Sequence, residues 1–142
     1  PKDVPVERTL EQIGKSLAEC GEFAQSHGVE IRVEVHGGGT QQPAHMRTIM
    51  DACGHDSVRV CWNSYPTDVE DGSIDSSFAL LGQKIGLVHI TELSNPAHPY
   101  LDLFRYLKQS GYEGFCLAEI AGSEEPERLM RYYRALFDAL QP

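Results

Sequence analysis

A helix and strand unit that recurs along the whole chain constrains its fold more than any other feature. The first helical run spans residues 9–27, with Leu10, Ile13, Leu17 and Ala24 at helical spacing and Gly28 as its stop. Thr9 and Gln12 have the form of a capping box at its start. Residues 29–35 then alternate apolar and polar with period two, and Gly37, Gly38 and Gly39 follow as a flexible loop. The unit repeats. Met46, Ile49, Met50 and Cys53 mark a second helix, Ile74, Phe78, Leu81 and Ile85 a third, and Leu101, Phe104 and Leu107 a fourth, ended by Gly54, Gly86 and Gly111. Strands are expected over residues 58–63, 87–91 and 115–120. A last helix opens near Pro126, with Leu129, Met130, Tyr133, Leu136, Phe137 and Leu140 on one face.

The order αβαβαβαβα implies right-handed crossovers and a parallel sheet. A doubly wound sheet buries both faces of its central strands, which are then apolar throughout. The first strand is not: Val29, Ile31, Val33 and Val35 share one parity, Glu30, Arg32 and Glu34 the other. In the second, Val58, Val60 and Trp62 oppose Arg59, Cys61 and Asn63. One face meets helices and the other a polar lumen, as in the wall of a barrel. An eight-stranded (β/α) barrel takes roughly 200–250 residues, and four strands in 142 residues make half of one. The predicted fold is therefore α/β, a (β/α) half-barrel of four parallel strands with flanking helices. Residues 1–142 are read as a single domain. A helix before the first strand and another after the last match the C-terminal half of a barrel.

In such barrels the inward-facing residues at the C-terminal strand ends build the active site. Here they are Glu34, Asn63, His89 and Glu119, spaced 29, 26 and 30 residues apart. Each alone reads as a solvated or structural side chain; the recurrence at one height is what argues for a shared site. Twelve basic against twenty-one acidic residues leave a net charge of −9, which disfavours nucleic acid and anionic lipid as partners. No apolar run reaches the ~20 residues of a membrane span, and the first residues lack a signal peptide's regions, so a cytoplasmic protein is expected. Cys20, Cys53, Cys61 and Cys116 form no CxxC pair and are expected to be reduced core thiols.

VEVHGG around Glu34, VCWNS around Asn63, VHITE around His89 and GYEGFCLAEI leading to Glu119 carry a resemblance. Taken in order, they resemble the C-terminal half of the xylose isomerase-like TIM barrel superfamily, which holds sugar isomerases, ketose epimerases, inosose dehydratases and apurinic endonucleases. The resemblance implies a divalent-metal-dependent sugar isomerase or epimerase acting on a ketose or related α-hydroxy carbonyl through an enediolate. It implies metal ligands at Glu34, Asn63, His89 and Glu119, with Glu34 and Glu119 also catalytic on either side of the substrate carbon. Asn63 stands where most members carry aspartate. Oxygen-rich ligation with one imidazole suits Mn²⁺ or Mg²⁺, admits Co²⁺ and favours Zn²⁺ less. His36, two residues past Glu34, and Glu92, just past His89, are candidate substrate contacts, Glu92 alternatively orienting a ligand.

Two other readings remain open at this stage: a non-catalytic half-barrel serving binding or assembly, and a phosphodiesterase of the apurinic endonuclease type. The acidic charge weighs against the second. Glu30, Arg32 and Arg59 are expected to form a buried ion network lower in the lumen, with an arginine near a sugar phosphate as the alternative. Trp62 is expected to face the helices, and His45, Asp68, Glu70, Asp71 and Asp75 to be polar loop or helix-start residues. Leu87, Phe115 and Leu117 would lie bare on the inner face, so the chain is expected to form a homo-oligomer or to pack against a missing half-barrel.

Overall fold

The computed structural model describes residues 3–142. Its elements run α1 (Val6–Ser26), β1 (Ile31–Glu34), α2 (Pro43–Cys53), β2 (Val58–Asn63), α3 (Asp75–Leu81), β3 (Ile85–Ile90), α4 (Tyr100–Gln109), β4 (Cys116–Ala118) and α5 (Pro126–Ala139). The four strands form one sheet in the order β1-β2-β3-β4, and every pair is parallel. This is half of a TIM barrel.

Local chemistry explains the elements. Pro43 occupies the first turn of α2, where its missing N–H costs nothing, and Gly54 ends the helix in the left-handed region at φ 60°. Between them Met46, Ile49, Met50 and Cys53 are buried. The outward parity of the sheet, Val58, Val60, Trp62, Val88 and Ile90, packs with these helix residues and with Leu103, Phe104 and Leu107 of α4 in one core. Trp62 faces the helices as its parity requires. The inner face has no such cover: Phe115 is 71% exposed and Leu117 45%.

A bulge interrupts the pairing of β2 with β3. Val60 lies opposite Ile85 but Cys61 opposite Leu87, so Gly86 is the extra residue. The bulge lets Ile85 and Val88, of opposite sequence parity, both reach the core, while Leu87 and His89 stay on the inner side. A Cβ at Gly86 would lie 2.9 Å from both Arg59 Cβ and Glu30 Oε1, which explains the glycine.

Several expectations need correction. Helix α1 begins at Val6, because Pro5 at φ −53° sets the entry. Thr9 then lies inside the first turn, bonding Pro5 O at 3.4 Å, and Gln12 bonds Ser16, so no Thr9 capping box forms. Strand β1 starts only at Ile31, because the amide of Val29 closes the end of α1 on Ala24 O at 2.9 Å and Gly28 is left-handed. The third helix stops at Leu81, and a 3₁₀ turn over Gly82–Lys84 hands Ile85 to β3. In α4 the buried place belongs to Tyr100, and Leu101 is exposed. Cys20 is an exposed thiol on α1, not a core one. Arg32 and Glu30 do pair, at 2.8 Å, but each side chain is 36% exposed; the lumen is open on that side, so the pair is not buried.

Candidate active site

Strand ends position the four inward residues. Glu34 and Asn63 are the last residues of β1 and β2, His89 is the penultimate residue of β3, and Glu119 follows β4 directly. Asn63 is the register partner of His89, which is in turn that of Leu117, two residues before Glu119. The Glu119 amide extends the ladder by donating to Ile90 O at 2.8 Å. Three adjacent strand pairs thus bring residues 85 positions apart to one level.

Their side chains converge. Ligand atoms of Glu34, His89 and Glu119 all lie within 4.8 Å of one another. His89 Nδ1 is 3.1 Å from Glu34 Oε1 and 3.4 Å from Glu119 Oε2. Asn63 Nδ2 donates to the same Glu34 oxygen at 2.9 Å, so Asn63 faces Glu34 with its amide nitrogen and fixes that carboxylate. Its own Oδ1 is buried and accepts no hydrogen bond among the described residues. Below them burial, reinforced by the charges of Glu34 and then Glu119, pushes the Cys61 thiol up to about 11. Cys61 is therefore neutral under the carboxylates.

Two carboxylates aimed at one imidazole repel each other unless a cation or proton sits between them. The donor set fits a hard divalent ion: carboxylate oxygens, one imidazole nitrogen, and in Asn63 Oδ1 a buried oxygen without a partner. Turning the Asn63 amide end for end would direct that oxygen toward Glu34.

Further contacts fix the strand end that carries His89. Ser64 Oγ donates to His89 O at 3.0 Å. From α5, Tyr133 OH donates to Ile90 O at 3.0 Å and Thr91 O at 2.7 Å. Burial pushes the Tyr133 phenol up, with smaller contributions from Tyr100 and Glu92, so it remains a donor. Tyr100 OH meets Thr91 Oγ1 at 2.8 Å.

The chain matches the family profile described as xylose isomerase-like TIM barrel over residues 1–140. It belongs to the xylose isomerase-like TIM barrel family. The family fold is also that of two solved structures. A 3-keto-D-glucoside 4-epimerase from E. coli aligns with a TM-score of 0.73 at 17% identity, over 97% of this chain and 55% of that one. A D-psicose 3-epimerase from Clostridium cellulolyticum H10, solved with D-tagatose, aligns with a TM-score of 0.73 at 17% identity, over 98% of this chain and 59% of that one. The chain thus spans little more than half the length of these family folds. No match was found among curated proteins.

Of the other candidates, His36 is exposed and its ring meets Tyr65 edge-on at 5.4 Å. Glu92 is exposed and does not join the cluster. Asp68, expected as a polar loop or helix-start residue, is buried: its Oδ2 accepts the Tyr65 amide at 2.9 Å and lies 3.9 Å from Nε2 of the buried His98. Burial pushes its carboxyl above the usual range against the pull of His98 and of that amide. Asp68 so holds the loop after β2, which carries the Tyr65 ring to His36. The sequence signal was weak, an aspartate three residues after Tyr65 in a proline turn.

Proposed function

We propose that this chain is the C-terminal half of a divalent-metal-dependent sugar isomerase or epimerase acting on a ketose or related α-hydroxy carbonyl. The convergence of Glu34, His89 and Glu119 within 4.8 Å at the strand ends carries the reading. Its family membership and the sugar epimerases among its structural neighbours support it.

The proposed residue roles follow from the geometry. Glu34, His89 and Glu119 would hold the ion, Mn²⁺ or Mg²⁺ by donor type, with Asn63 joining through its oxygen if the amide reverses. When bound, the ion would draw together the carbonyl and adjacent hydroxyl oxygens of the sugar and offset the charge that develops there when a carbon-bound proton leaves. Glu34 and Glu119 come from the first and last strands, so they approach a substrate from different sides. One carboxylate takes the proton and the other returns it on the opposite face, which is what epimerisation requires. With the amide as it stands, Asn63 instead keeps Glu34 oriented by its hydrogen bond. His36 and Tyr65, an aromatic pair beside β1, would meet the sugar hydroxyls, and Glu92 would act from the rim.

The test is deuterium wash-in. Full-length enzyme with Mn²⁺ is incubated with a panel of ketoses in deuterated water, and the recovered sugars are read by NMR. Deuterium is expected at the carbon next to the carbonyl. Glu119→Gln, which keeps an oxygen for the ion but cannot accept a proton, is expected to slow exchange by roughly 10²- to 10⁴-fold while metal binding persists. Full-rate exchange in Glu119→Gln, or none in the wild type on any ketose, would contradict the proposal.

A further inference from the structure

Loops from three neighbouring strands meet at one short turn. The 3₁₀ turn Pro66–Asp68 follows β2, and it reaches to both sides. Toward the β1–α2 loop, the Tyr65 ring stands edge-on to His36 at 5.4 Å and Thr67 Oγ1 donates to Gln41 O at 3.1 Å. Toward the β3–α4 loop, Asp68 Oδ2 lies 3.9 Å from His98 Nε2. Asp68 is 1% exposed and His98 6%, so this chain's own loops cover the pair, and it is complete without the rest of a barrel. Among the described residues His98 is the one basic group within 4.0 Å of Asp68, and neither ring nitrogen of His98 has a hydrogen-bond partner. Its ring packs on Tyr100 at 4.5 Å between centroids, and the Tyr100 hydroxyl meets Thr91 Oγ1 just past β3 at 2.8 Å.

A buried carboxyl and a buried imidazole are costly unless each answers the other, and an approach of about 1 Å would turn their opposition into a hydrogen bond. An apolar pair would join the two loops as well; the polar pair adds direction. Asp68 Oδ2 also accepts the Tyr65 amide at 2.9 Å, while the Asp68 amide donates to Tyr65 O at 3.0 Å. A carboxyl held in place by His98 thus fixes the backbone on both sides of Tyr65, and with it the direction in which that ring leaves the loop. With the site read as that of a sugar isomerase or epimerase, we propose that His98 is a positioning residue: acting through Asp68, it seats the Tyr65 ring against His36 and so sets how tightly the sugar is held. Asp68 and His98 lie outside the cluster of Glu34, His89 and Glu119, so ion binding and proton transfer do not run through them.

Two readouts on the full-length enzyme test the proposal. The first needs no turnover: ¹³C-labelled histidine rings are observed by NMR, and the His36 signal is assigned by its loss in His36→Gln. His98→Leu, which fills the volume and removes both ring nitrogens, is expected to shift the His36 signal as the Tyr65 ring leaves it. His98→Gln, which returns a donor near the Nε2 position, is expected to bring that signal back. In the second, with Mn²⁺ and a ketose, His98→Leu is expected to raise KM about three- to tenfold, the effect of one lost polar contact. Its kcat and Mn²⁺ affinity are expected to stay near the wild type, because the contact is made equally in the bound and transition states. Should His98→Leu fail to fold, Asp68→Asn, which keeps the acceptor for the Tyr65 amide and gives up the carboxyl facing His98, is expected to shift the His36 signal and raise KM about two- to threefold. An unmoved His36 signal, no recovery in His98→Gln, a wild-type KM in the variant read, or a loss in kcat alone would overturn the proposal. A wild type inactive on every ketose contradicts the sugar reading instead, and the His36 signal then decides the positioning.

Discussion

At the scale of single residues, the site is a balance of charge around one imidazole. Asn63 contributes a neutral donor where a carboxylate would add a full charge beside the proposed ion, so Asn63→Asp is expected to tighten Mn²⁺ binding by calorimetry; equal affinities would place residue 63 outside the ion's ligands. Asp68 provides the pH dependence. Its carboxyl is raised from 3.8 by burial, so the folded chain holds that proton more tightly than the unfolded one. The stability it contributes is full below the unfolded value and is lost as pH rises through the folded value. Asp68→Asn keeps an acceptor for the Tyr65 amide and removes the titration. In urea unfolding, wild-type stability is expected to fall relative to Asp68→Asn as pH rises from about 4, then to level off. A pH-independent difference would contradict this. The thiols give a third readout: Cys61 and Cys116, both pushed up to about 11 by burial, are expected to resist alkylation at pH 7 while exposed Cys20 reacts.

At the scale of elements, α5 and the β3 bulge hold the site in place from behind. Tyr133→Phe takes the hydroxyl donor from Thr91 O and leaves Ile90 O with the Glu119 amide, and is expected to cost about 1–3 kcal/mol in urea unfolding. Gly86→Val forces a side chain onto Arg59 and Glu30 and is expected to cost a similar amount, about 1–3 kcal/mol. Both features show where the sequence was legible. Period-two alternation in β1 and β2 revealed the inward parity of Glu34 and Asn63, because each residue's side is fixed by counting. Counting fails at Gly86, since a bulge inserts one residue without any change in composition. It also fails at element ends: Val29 has strand character, but a helix-closing hydrogen bond claims its amide, and Ile85 fits a helical spacing that the turn before it has already ended. Asp68 was missed because burial of a loop carboxylate depends on His98, thirty residues away in sequence and on a different loop.

At the scale of the whole molecule, the sheet has two open edges and one uncovered face. Phe115, Leu117 and the half-buried Leu87 lie on that face, an apolar surface that isolated chains seldom leave in water. We expect the chain to self-associate or to pack against a complementary half-barrel, and expect the double variant Phe115→Lys, Leu117→Lys to shift sedimentation toward monomer; an unchanged monomeric profile in the wild type would contradict this. Cover from the opposite wall would also remove water from Glu119, the most exposed of the converging groups at 51%, and should strengthen its hold on an ion. The account rests on Glu34, His89 and Glu119 acting as one divalent site. Its most direct test is a Mn²⁺ titration of this chain followed by electron paramagnetic resonance, for the wild type and for His89→Ala and Glu119→Ala. The account predicts one Mn²⁺ per chain and at least about tenfold weaker binding in each variant; wild-type affinity in both, or no stoichiometric binding at all, would contradict it.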